Sequence, residues 1–271
     1  MKIFNFKEYP VVILGAGELA SGVAIRLWRA GFQIVMTELE YPLAIRRTVS
    51  FSETIYLGDT VVEEIRATRV SKIDEIQQKW NEGILPILVD PTAEVLAKVR
   101  PAIIVDARIA KTNLGMSLHL AQFVIGLGPG FIAGHDVHAV IETNRGHFLG
   151  RVLWEGSAEP DSRIPGEMKG VGSERVIYSP GEGIFSSVCM ISDPVTPGEI
   201  IGFCGEFSVK TQIGGILRGL IHPGIYLSRG MKIADVDPRM NPDFCRYVSD
   251  KALAIGGGVL EAVLMFLNQA Y

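Results

Sequence analysis

VVILGAGELASGVAIRLWRAGFQIVMTE, residues 11–38, is the stretch of sequence that decides the fold. It begins with a continuous apolar run at 11–14, which is typical of a strand buried on both faces in a parallel sheet. Gly15, Gly17 and Ala20 follow at once in the spacing G-x-G-x-x-G/A. The first glycine permits a tight turn, the second leaves room for a phosphate, and the alanine lets a helix pack closely on the strand.

The residues after this turn continue the same pattern. Leu19, Val23 and Leu27 lie four apart, as on the buried side of a helix. A second apolar run leads to Glu38, which lies 38 − 17 = 21 residues after the second glycine. An acidic side chain at that distance accepts the ribose hydroxyls of an adenosine. The pattern predicts a Rossmann-like nucleotide-binding domain, with a parallel sheet, over residues 1–168.

Three charged residues bear on the ligand of this turn. Glu18 lies at the predicted helix N-terminus, where it favours the helix dipole but would repel a pyrophosphate on the same amides. Arg46 follows the second strand and could meet an anionic group such as a ribose phosphate, whereas Arg47 is interpreted as a solvated charge. The turn therefore either binds a nucleotide or persists as a structural element alone.

Strand-like and helix-like runs alternate through the next hundred residues, as a parallel sheet with crossover helices requires. We predict strands at 60–70, 87–89, 102–105 and 121–125, and helices at 72–80 and 93–99. Asp106 and Arg108 come directly after a strand, and ligands in such sheets bind outside the carboxyl ends of strands. The alternative is that Asp106 only caps a turn or a helix.

A second glycine-rich loop, GLGPGFIAG at 126–134, follows another predicted strand. The backbone amides around Gly128 and Gly130 suggest an anion nest. The next thirteen residues hold three of the five histidines in the chain. From this region we predict a polar substrate pocket with these side chains: His135, Asp136, His138, Glu142 and Arg145. A set of structural histidines is the alternative.

The spacing of these residues argues against a simple metal site. His138 and Glu142 would lie roughly 13 Å apart along one strand, so they could not chelate one ion. A site made from His135 with Asp136 or His147 would need the chain to fold back at 144–146. We therefore predict no metal site.

An internal repeat marks a second domain, which we place at residues 169–239. The members of each matching pair differ in residue number by the same amount, 215 − 183 = 32: Gly183 and Gly215, Ile184 and Ile216, Phe185 and Leu217, Val188 and Leu220, Val195 and Leu227, Gly198 and Gly230, Ile201 and Ile233. Each half is typical of a β-hairpin-like unit. The predicted result is an all-β domain that resembles the two-fold barrel-sandwich hybrid of lipoyl and biotinyl carriers. Lys210 aligns with Tyr178 and not with a hairpin tip, so we expect it to be unmodified.

The last segment, residues 240–271, is predicted to close the chain with a helix that ends near Gln269. Glycines at 256–258 lie inside this helix, where they cost stability. They therefore predict close packing, either on the first domain or on another subunit. The second alternative leaves a homodimer open.

Composition narrows the classes of partner and compartment. The chain of 271 residues carries a net charge of −4 and no basic block, so nucleic acid is a poor candidate partner. The N-terminal ten residues are charged and match neither a signal peptide nor a membrane span, and the apolar run at 259–267 is too short to cross a bilayer. Three scattered cysteines favour a reducing compartment. We expect a cytoplasmic protein with no membrane partner.

The sequence resembles the YqeB-type accessory proteins of selenium-dependent molybdenum hydroxylase systems. The stretches that carry this resemblance are distributed along nearly the whole chain: 15–32, 36–53, 126–147, 233–239 and 249–262. More distantly, the family is similar to the Rossmann-bearing accessory proteins that handle molybdenum cofactor for xanthine dehydrogenase. The resemblance implies a role in the maturation of a molybdenum hydroxylase, which would be the client enzyme.

Three functional hypotheses follow. The first is a maturation factor that binds a small anionic ligand, a nucleotide or a pterin cofactor, in a cleft. One wall would hold Gly15, Gly17, Glu38 and Arg46, and the loop at 126–147 would form the other. The second is an NAD(P)-dependent oxidoreductase, although no catalytic pair is recognisable. The third is a scaffold with a vestigial nucleotide fold, which Glu18 favours. NAD(P), another nucleotide and molybdenum cofactor stay open as ligands, as does catalysis itself.

Overall fold

The computed structural model describes residues 5–162 and 166–269, and the chain divides into two compact units. The first unit contains Met1–Pro42, Ser50–Asp161 and Val248–Tyr271, and the second contains Leu43–Val49 and Ser162–Tyr247. The second unit is therefore longer than the predicted domain at 169–239. It also includes a segment at 43–49 that the sequence pattern had assigned to the first domain.

The first unit is built on a nine-stranded sheet in the order β3-β4-β5-β2-β1-β6-β7-β8-β9. Its strands are β1 (Val11–Leu14), β2 (Ile34–Glu38), β3 (Asp59–Val62), β4 (Ile65–Val70), β5 (Leu85–Val89), β6 (Ile103–Asp106), β7 (Phe123–Leu127), β8 (Ala139–Ile141) and β9 (Val152–Leu153). Strands β4 to β8, together with β1 and β2, are parallel, and β3 and β9 pair antiparallel at the two edges. The predicted α/β class with a parallel central sheet is confirmed.

Helices of very different lengths accompany this sheet. They are α1 (Glu18–Arg29), α2 (Thr54–Leu57), α3 (Ile76–Asn81), α4 (Val95–Val99) and α5 (Asp250–Gln269). The single strand predicted at 60–70 is instead the hairpin of β3 and β4, which turns at Glu63 and Glu64, both with positive φ. No helix in the described part of the chain has the length and apolar character needed to cross a membrane.

Small residues let α1 and α5 approach closely within the first unit. A Cβ on Gly22 would lie 2.5 Å from the carbonyl oxygen of Ala252, and one on Gly256 would lie 2.5 Å from that of Gly22. Phe266 of α5 stacks on Phe123 of β7, with ring centroids 4.7 Å apart. The C-terminal helix therefore packs on α1 within the first unit, and its packing on another subunit stays a prediction.

The second unit consists of two four-stranded antiparallel sheets, ordered β10-β17-β15-β12 and β14-β13-β11-β16. Their strands are β10 (Val176–Tyr178), β11 (Gly183–Ser187), β12 (Pro194–Val195), β13 (Ile200–Cys204), β14 (Phe207–Lys210), β15 (Gly215–Leu220), β16 (Tyr226–Leu227) and β17 (Lys232–Asp237). The first residues of β11, β12 and β13 precede those of β15, β16 and β17 by the spacing of the sequence repeat. Exchanging these partners, and β10 with β14, converts one sheet order into the other, so the sequence repeat corresponds to a two-fold strand arrangement.

A line of alternating charges runs through this second unit, buried at Arg175, Asp235, Arg218 and Asp237 and exposed at Arg239. Asp235 pairs with Arg175 and with Arg218, whose Nη2 lies 2.5 Å from the carboxylate. Arg218 also lies 3.3 Å from Asp237, and Arg239 pairs with Asp237 at 2.6 Å. Because each aspartate lies between two arginines, every buried carboxylate has compensating charge on both sides.

Asp237 gives the unit a predictable sensitivity to acid. Burial acts to raise its pKa, but hydrogen bonds from the Arg239 side chain and backbone and the charge of Arg218 outweigh it, so the pKa is lowered. A lowered native pKa adds stability above the unfolded value of about 3.9 and loses it as pH falls through the native value. The stability difference between wild type and Asp237→Asn should therefore shrink below about pH 4. Urea unfolding at several pH values measures it, and a pH-independent difference would contradict the assignment.

Candidate functional site

The sheet places the ends of three strands side by side at its centre. Strand β1 pairs with β2 on one side and with β6 on the other, so the order of the strands reverses there. Leu14, the last residue of β1, is level with Thr37 and Asp106. In open parallel sheets, ligands bind in the crevice outside the carboxyl ends of the strands at such a reversal. The glycine turn, Glu38 and Asp106 all lie at this edge.

The glycine turn follows β1 and leads into α1. Gly15 has a φ of +96°, and a Cβ on it would lie 3.1 Å from the carbonyl oxygen of Ala107. Gly17 is the N-cap of α1, and no described atom lies within 4 Å of the position that its Cβ would take. Ala20 is buried. Gly15 is thus required by the backbone, whereas Gly17 leaves open space at the start of the helix.

Glu38 holds this turn directly. Its Oε2 accepts a hydrogen bond from the Ala16 amide at 2.9 Å, and its Oε1 accepts one from the Leu39 amide at 2.8 Å. Burial raises the pKa of Glu38, while these two amides act in the opposite direction. The structure therefore brings Glu38 and the glycine turn together in one strand-end crevice.

Glu18 connects the starts of two helices. Its Oε1 accepts a hydrogen bond from the Ser249 amide at 3.3 Å, immediately before α5. Ser249 Oγ in turn accepts one from the Ala252 amide at 3.2 Å. A carboxylate between two helix N-termini is favourable for both helix dipoles, which accounts for an acid inside the glycine turn.

Asp106 and Arg108 form a tight pair after β6. The Asp106 carboxylate is buried, and Arg108 donates to it from Nε at 3.0 Å and from Nη2 at 2.5 Å. Arg108 also lines a cavity of about 670 Å³ in the first unit. The pair thus combines a local role, as the capping alternative anticipated, with a position on the wall of a cavity.

The glycines of the second loop serve chain packing. The Gly128 amide donates to the Ile141 carbonyl at 2.9 Å, and a Cβ there would lie 2.4 Å from Thr143 Oγ1. A Cβ on Gly130 would lie 2.6 Å from the backbone of Lys111. The predicted anion nest is corrected at Gly128, because its amide is used inside the sheet.

Glu142 and Arg145 are also engaged within the first unit. The buried Glu142 carboxylate accepts from the amides of Asn144 and Glu159, each at 2.7 Å. Arg145 donates from both Nη atoms to Asp250, in the first turn of α5, at 3.1 Å. Both residues lie beyond the carboxyl end of β8, and their role on a ligand stays a prediction.

His135, Asp136 and His138 do not lie beyond the carboxyl end of β8, where Glu142 and Arg145 are. His138 immediately precedes β8, where its Nδ1 accepts from the Val124 amide at 3.0 Å. Burial, followed by the charge of His119, lowers its pKa. His135, with a side chain 79% exposed, pairs with Asp136 in the turn that leads into the same strand. These three residues lie at or before the start of β8, whereas Glu142 and Arg145 follow its end, and their role in a substrate pocket stays a prediction.

The guanidinium of Arg46 is held by backbone carbonyl groups. It is buried in the second unit, and its Nη2 donates to the carbonyls of Phe244 at 2.8 Å and Tyr247 at 3.3 Å. Arg47, which was interpreted as solvated, donates from Nε to the Leu220 carbonyl at 2.7 Å. Because the carbonyls hold the Arg46 guanidinium, the structure does not support its prediction as a wall of the nucleotide cleft.

Sequence reasoning missed two parts of the site. Ser21 Oγ donates to the Ala16 carbonyl at 3.2 Å and accepts from the Phe51 amide at 2.9 Å, so it braces the glycine turn. The cavity walls were also missed, since leucine and methionine at such positions are typical of an ordinary core. The signal that could have identified Ser21 is its position in the sequence, four residues after Gly17 at the N-cap of α1.

No family model matches the chain. The chain is similar to the uncharacterized protein YqeB of Escherichia coli (strain K12), with 44% identity over 259 residues, 96% of this chain and 48% of that protein. It therefore spans about half the length of the curated relative that it matches.

Two solved structures show a distant likeness to the chain. An aspartoacylase family protein from Mesorhizobium loti matches with 12% identity and a TM-score of 0.25, over 78% of this chain and 58% of that one. The apo ectoine utilization protein EutE (DoeB) from Ruegeria pomeroyi matches with 11% identity and a TM-score of 0.24, over 84% and 86%. Scores this low carry no argument about fold or activity. By sequence, nearly the whole chain is homologous to part of the YqeB protein.

Proposed function

We propose that the first unit is a Rossmann-like domain that binds a nucleotide or a pterin cofactor bearing phosphate, and that the protein is a maturation factor for a selenium-dependent molybdenum hydroxylase. One observation carries the binding proposal: the Glu38 carboxylate contacts the glycine turn at the reversal of the strand order. The open space at Gly17 leaves room for a phosphate group to approach the start of α1.

The chemistry of this crevice suits a ribose phosphate. A carboxylate offers about four acceptor positions, and the Ala16 and Leu39 amides use two of them. The others could accept ligand hydroxyls, while the N-terminus of α1 favours a phosphate. The repulsion expected from Glu18 is reduced because its carboxylate is directed to the Ser249 amide. The molybdenum cofactor, when bound, would supply the metal chemistry of the client enzyme.

The maturation role rests on the sequence resemblance, since the YqeB protein itself carries no named activity. For the second unit we propose a barrel-sandwich-hybrid shape, which the exchange of strands at the spacing of the sequence repeat supports. Lys210 is the last residue of β14, outside any hairpin tip, so no carrier chemistry is proposed. A non-catalytic scaffold is the second candidate, because Glu142 and Arg145 are engaged by internal partners.

Gly17→Val tests the binding site. The φ of Gly17 is −66°, which valine adopts readily, and the new side chain would enter open space, so the variant should fold. We expect wild type to bind at least one of NAD, NADP, a mononucleotide or molybdenum cofactor, and the variant to bind it at least about tenfold more weakly, the loss of one good contact. Isothermal titration calorimetry measures both, with Gly257→Ala as control. Equal binding by Gly17→Val, or no binding by wild type, would favour the scaffold.

A further inference from the structure

The pocket beside Arg108 has the volume of a small-molecule site, and it is open to solvent, because most of the residues that line it are exposed. Its volume is about 670 Å³, within the usual range for ligand pockets. The lining comes from the loop after β5, from α4 and from the segment after β6. Apolar side chains form most of it, among them Leu96, Leu114, Met116 and Leu120. Walls of this kind suit a flat, largely uncharged ring.

Arg108 is the polar group whose geometry on this wall is fixed. It meets Asp106 side-on, through Nε and Nη2. Arginine has five N–H donors, and these bonds use the Nε donor and one of the two on Nη2. The end-on fork, with Nη1 and the second Nη2 hydrogen, remains for a ligand, and the side chain is 22% exposed. The Asp106 carboxylate compensates the positive charge of Arg108. The fork would therefore recognise a ligand mainly through a pair of hydrogen bonds and less through its charge.

Two parallel donors select a particular edge of a ring. Arginine binds guanine through the adjacent O6 and N7 acceptors, whereas adenine presents an amino donor beside N7. A 4-oxopteridine likewise carries an oxo group next to a ring nitrogen. Arg108 Cα lies 3.3 Å from the position of a Gly15 Cβ, so the cavity and the glycine turn are neighbours.

We propose that this cavity binds a fused heteroaromatic ring with an oxo group beside a ring nitrogen, a 6-oxopurine or a 4-oxopteridine, and that Arg108 selects it over adenine. This proposal rests on the proposed function and narrows the class of ligand. The ring would occupy the cavity while a phosphate lies at the glycine turn. The proposal places adenine dinucleotides at a disadvantage.

Calorimetry with GMP, AMP, guanosine and neopterin tests the selection. We expect GMP to bind more tightly than AMP, since both carry the same phosphate. Guanosine and neopterin, neither of which carries a phosphate, show by their relative affinities which ring is preferred. Arg108→Lys keeps a cation beside Asp106 but removes the fork, so it should weaken the preferred ligand about 5- to 100-fold and leave AMP unchanged. Arg66→Lys is the matched control, since Arg66 pairs with Asp59 at the exposed end of the sheet.

Two further variants keep the outcomes distinct. Ala97→Trp fills the cavity from an exposed position on α4 without touching Asp106, and it should also weaken the preferred ligand. If AMP binds as tightly as GMP, or if Arg108→Lys and Ala97→Trp leave binding unchanged, the proposal is overturned. If Gly17→Val still weakens binding at least about tenfold in that case, the proposed function stands without this inference. Failure of every ligand with wild type overturns both.

Discussion

Asp235→Asn should destabilise the second unit by about 3–5 kcal/mol, because it removes the carboxylate that pairs with Arg175 and leaves Arg218 with Asp237 alone. The Asp235 side chain is 4% exposed, and the Arg175 and Arg218 side chains on either side of it are each 8% exposed. The asparagine is nearly isosteric, so the effect would be electrostatic. A loss of this size is a large part of the stability of a typical domain, about 5–15 kcal/mol.

Urea unfolding of wild type and Asp235→Asn measures this difference at neutral pH. The control is Asp243→Asn, since Asp243 pairs with Arg246 at 3.7 Å and both side chains are exposed. Such surface pairs contribute about 0–1 kcal/mol. If Asp235→Asn cost no more than Asp243→Asn, the line of charges would not stabilise the unit as described.

Two neighbouring glycines in α5 should respond to alanine with opposite signs. A Cβ on Gly258 would lie 2.1 Å from the carbonyl oxygen of Gly150, so Gly258→Ala should cost about 1–3 kcal/mol through overpacking. For Gly257, no described atom lies within 4 Å of the Cβ position. Gly257→Ala should therefore stabilise the helix by up to about 1 kcal/mol, the difference in helix propensity.

Thermal unfolding of the two variants, followed by circular dichroism, provides the comparison. The Tm of Gly258→Ala should fall and that of Gly257→Ala should rise. Because both variants carry the same substitution in the same helix, propensity alone would raise both. Two shifts of the same sign would show that the close contact of α5 with the loop at Gly150 does not limit residue size.

Local sequence patterns predicted much of the sheet. The apolar run before Gly15, the helical spacing of Leu19 and Val23, and the run before Glu38 correspond to β1, α1 and β2. These elements are continuous in sequence, and each has a period that local chemistry sets. The internal repeat predicted matching strands in the second unit, because it too can be read directly along the sequence.

The sequence did not predict features that depend on contacts between distant parts of the chain. Nothing local indicates that the segment at 43–49 belongs with the second unit, where Ile45 accepts a backbone hydrogen bond from Leu220 at 2.7 Å. The hairpin turn at Glu63 and Glu64 carries no glycine, although both residues have positive φ. Tertiary contacts hold such a turn, so its residue types did not predict it.

The candidate site also contains residues that local sequence predicted and residues that it did not. Glu38 was found because its distance from Gly17 follows from one strand-turn-helix-strand unit. His138 was grouped with Glu142 because they are near in sequence, yet they lie at opposite ends of β8. The cavity beside Arg108 combines residues from two crossovers, so no single stretch of sequence encodes it.

The most direct measurement of the central claim is a two-dimensional ¹H–¹⁵N NMR titration of the whole chain with the ligand that binds most tightly by calorimetry. We expect the amides of Ala16, Gly17 and Leu39 to shift together at the calorimetric Kd, and Gly17→Val to move the midpoint of the shifts at Ala16 and Leu39 to a ligand concentration at least about tenfold higher. Perturbations confined to the second unit, or to His135 and His138 at the amino edge of the sheet, would contradict this claim.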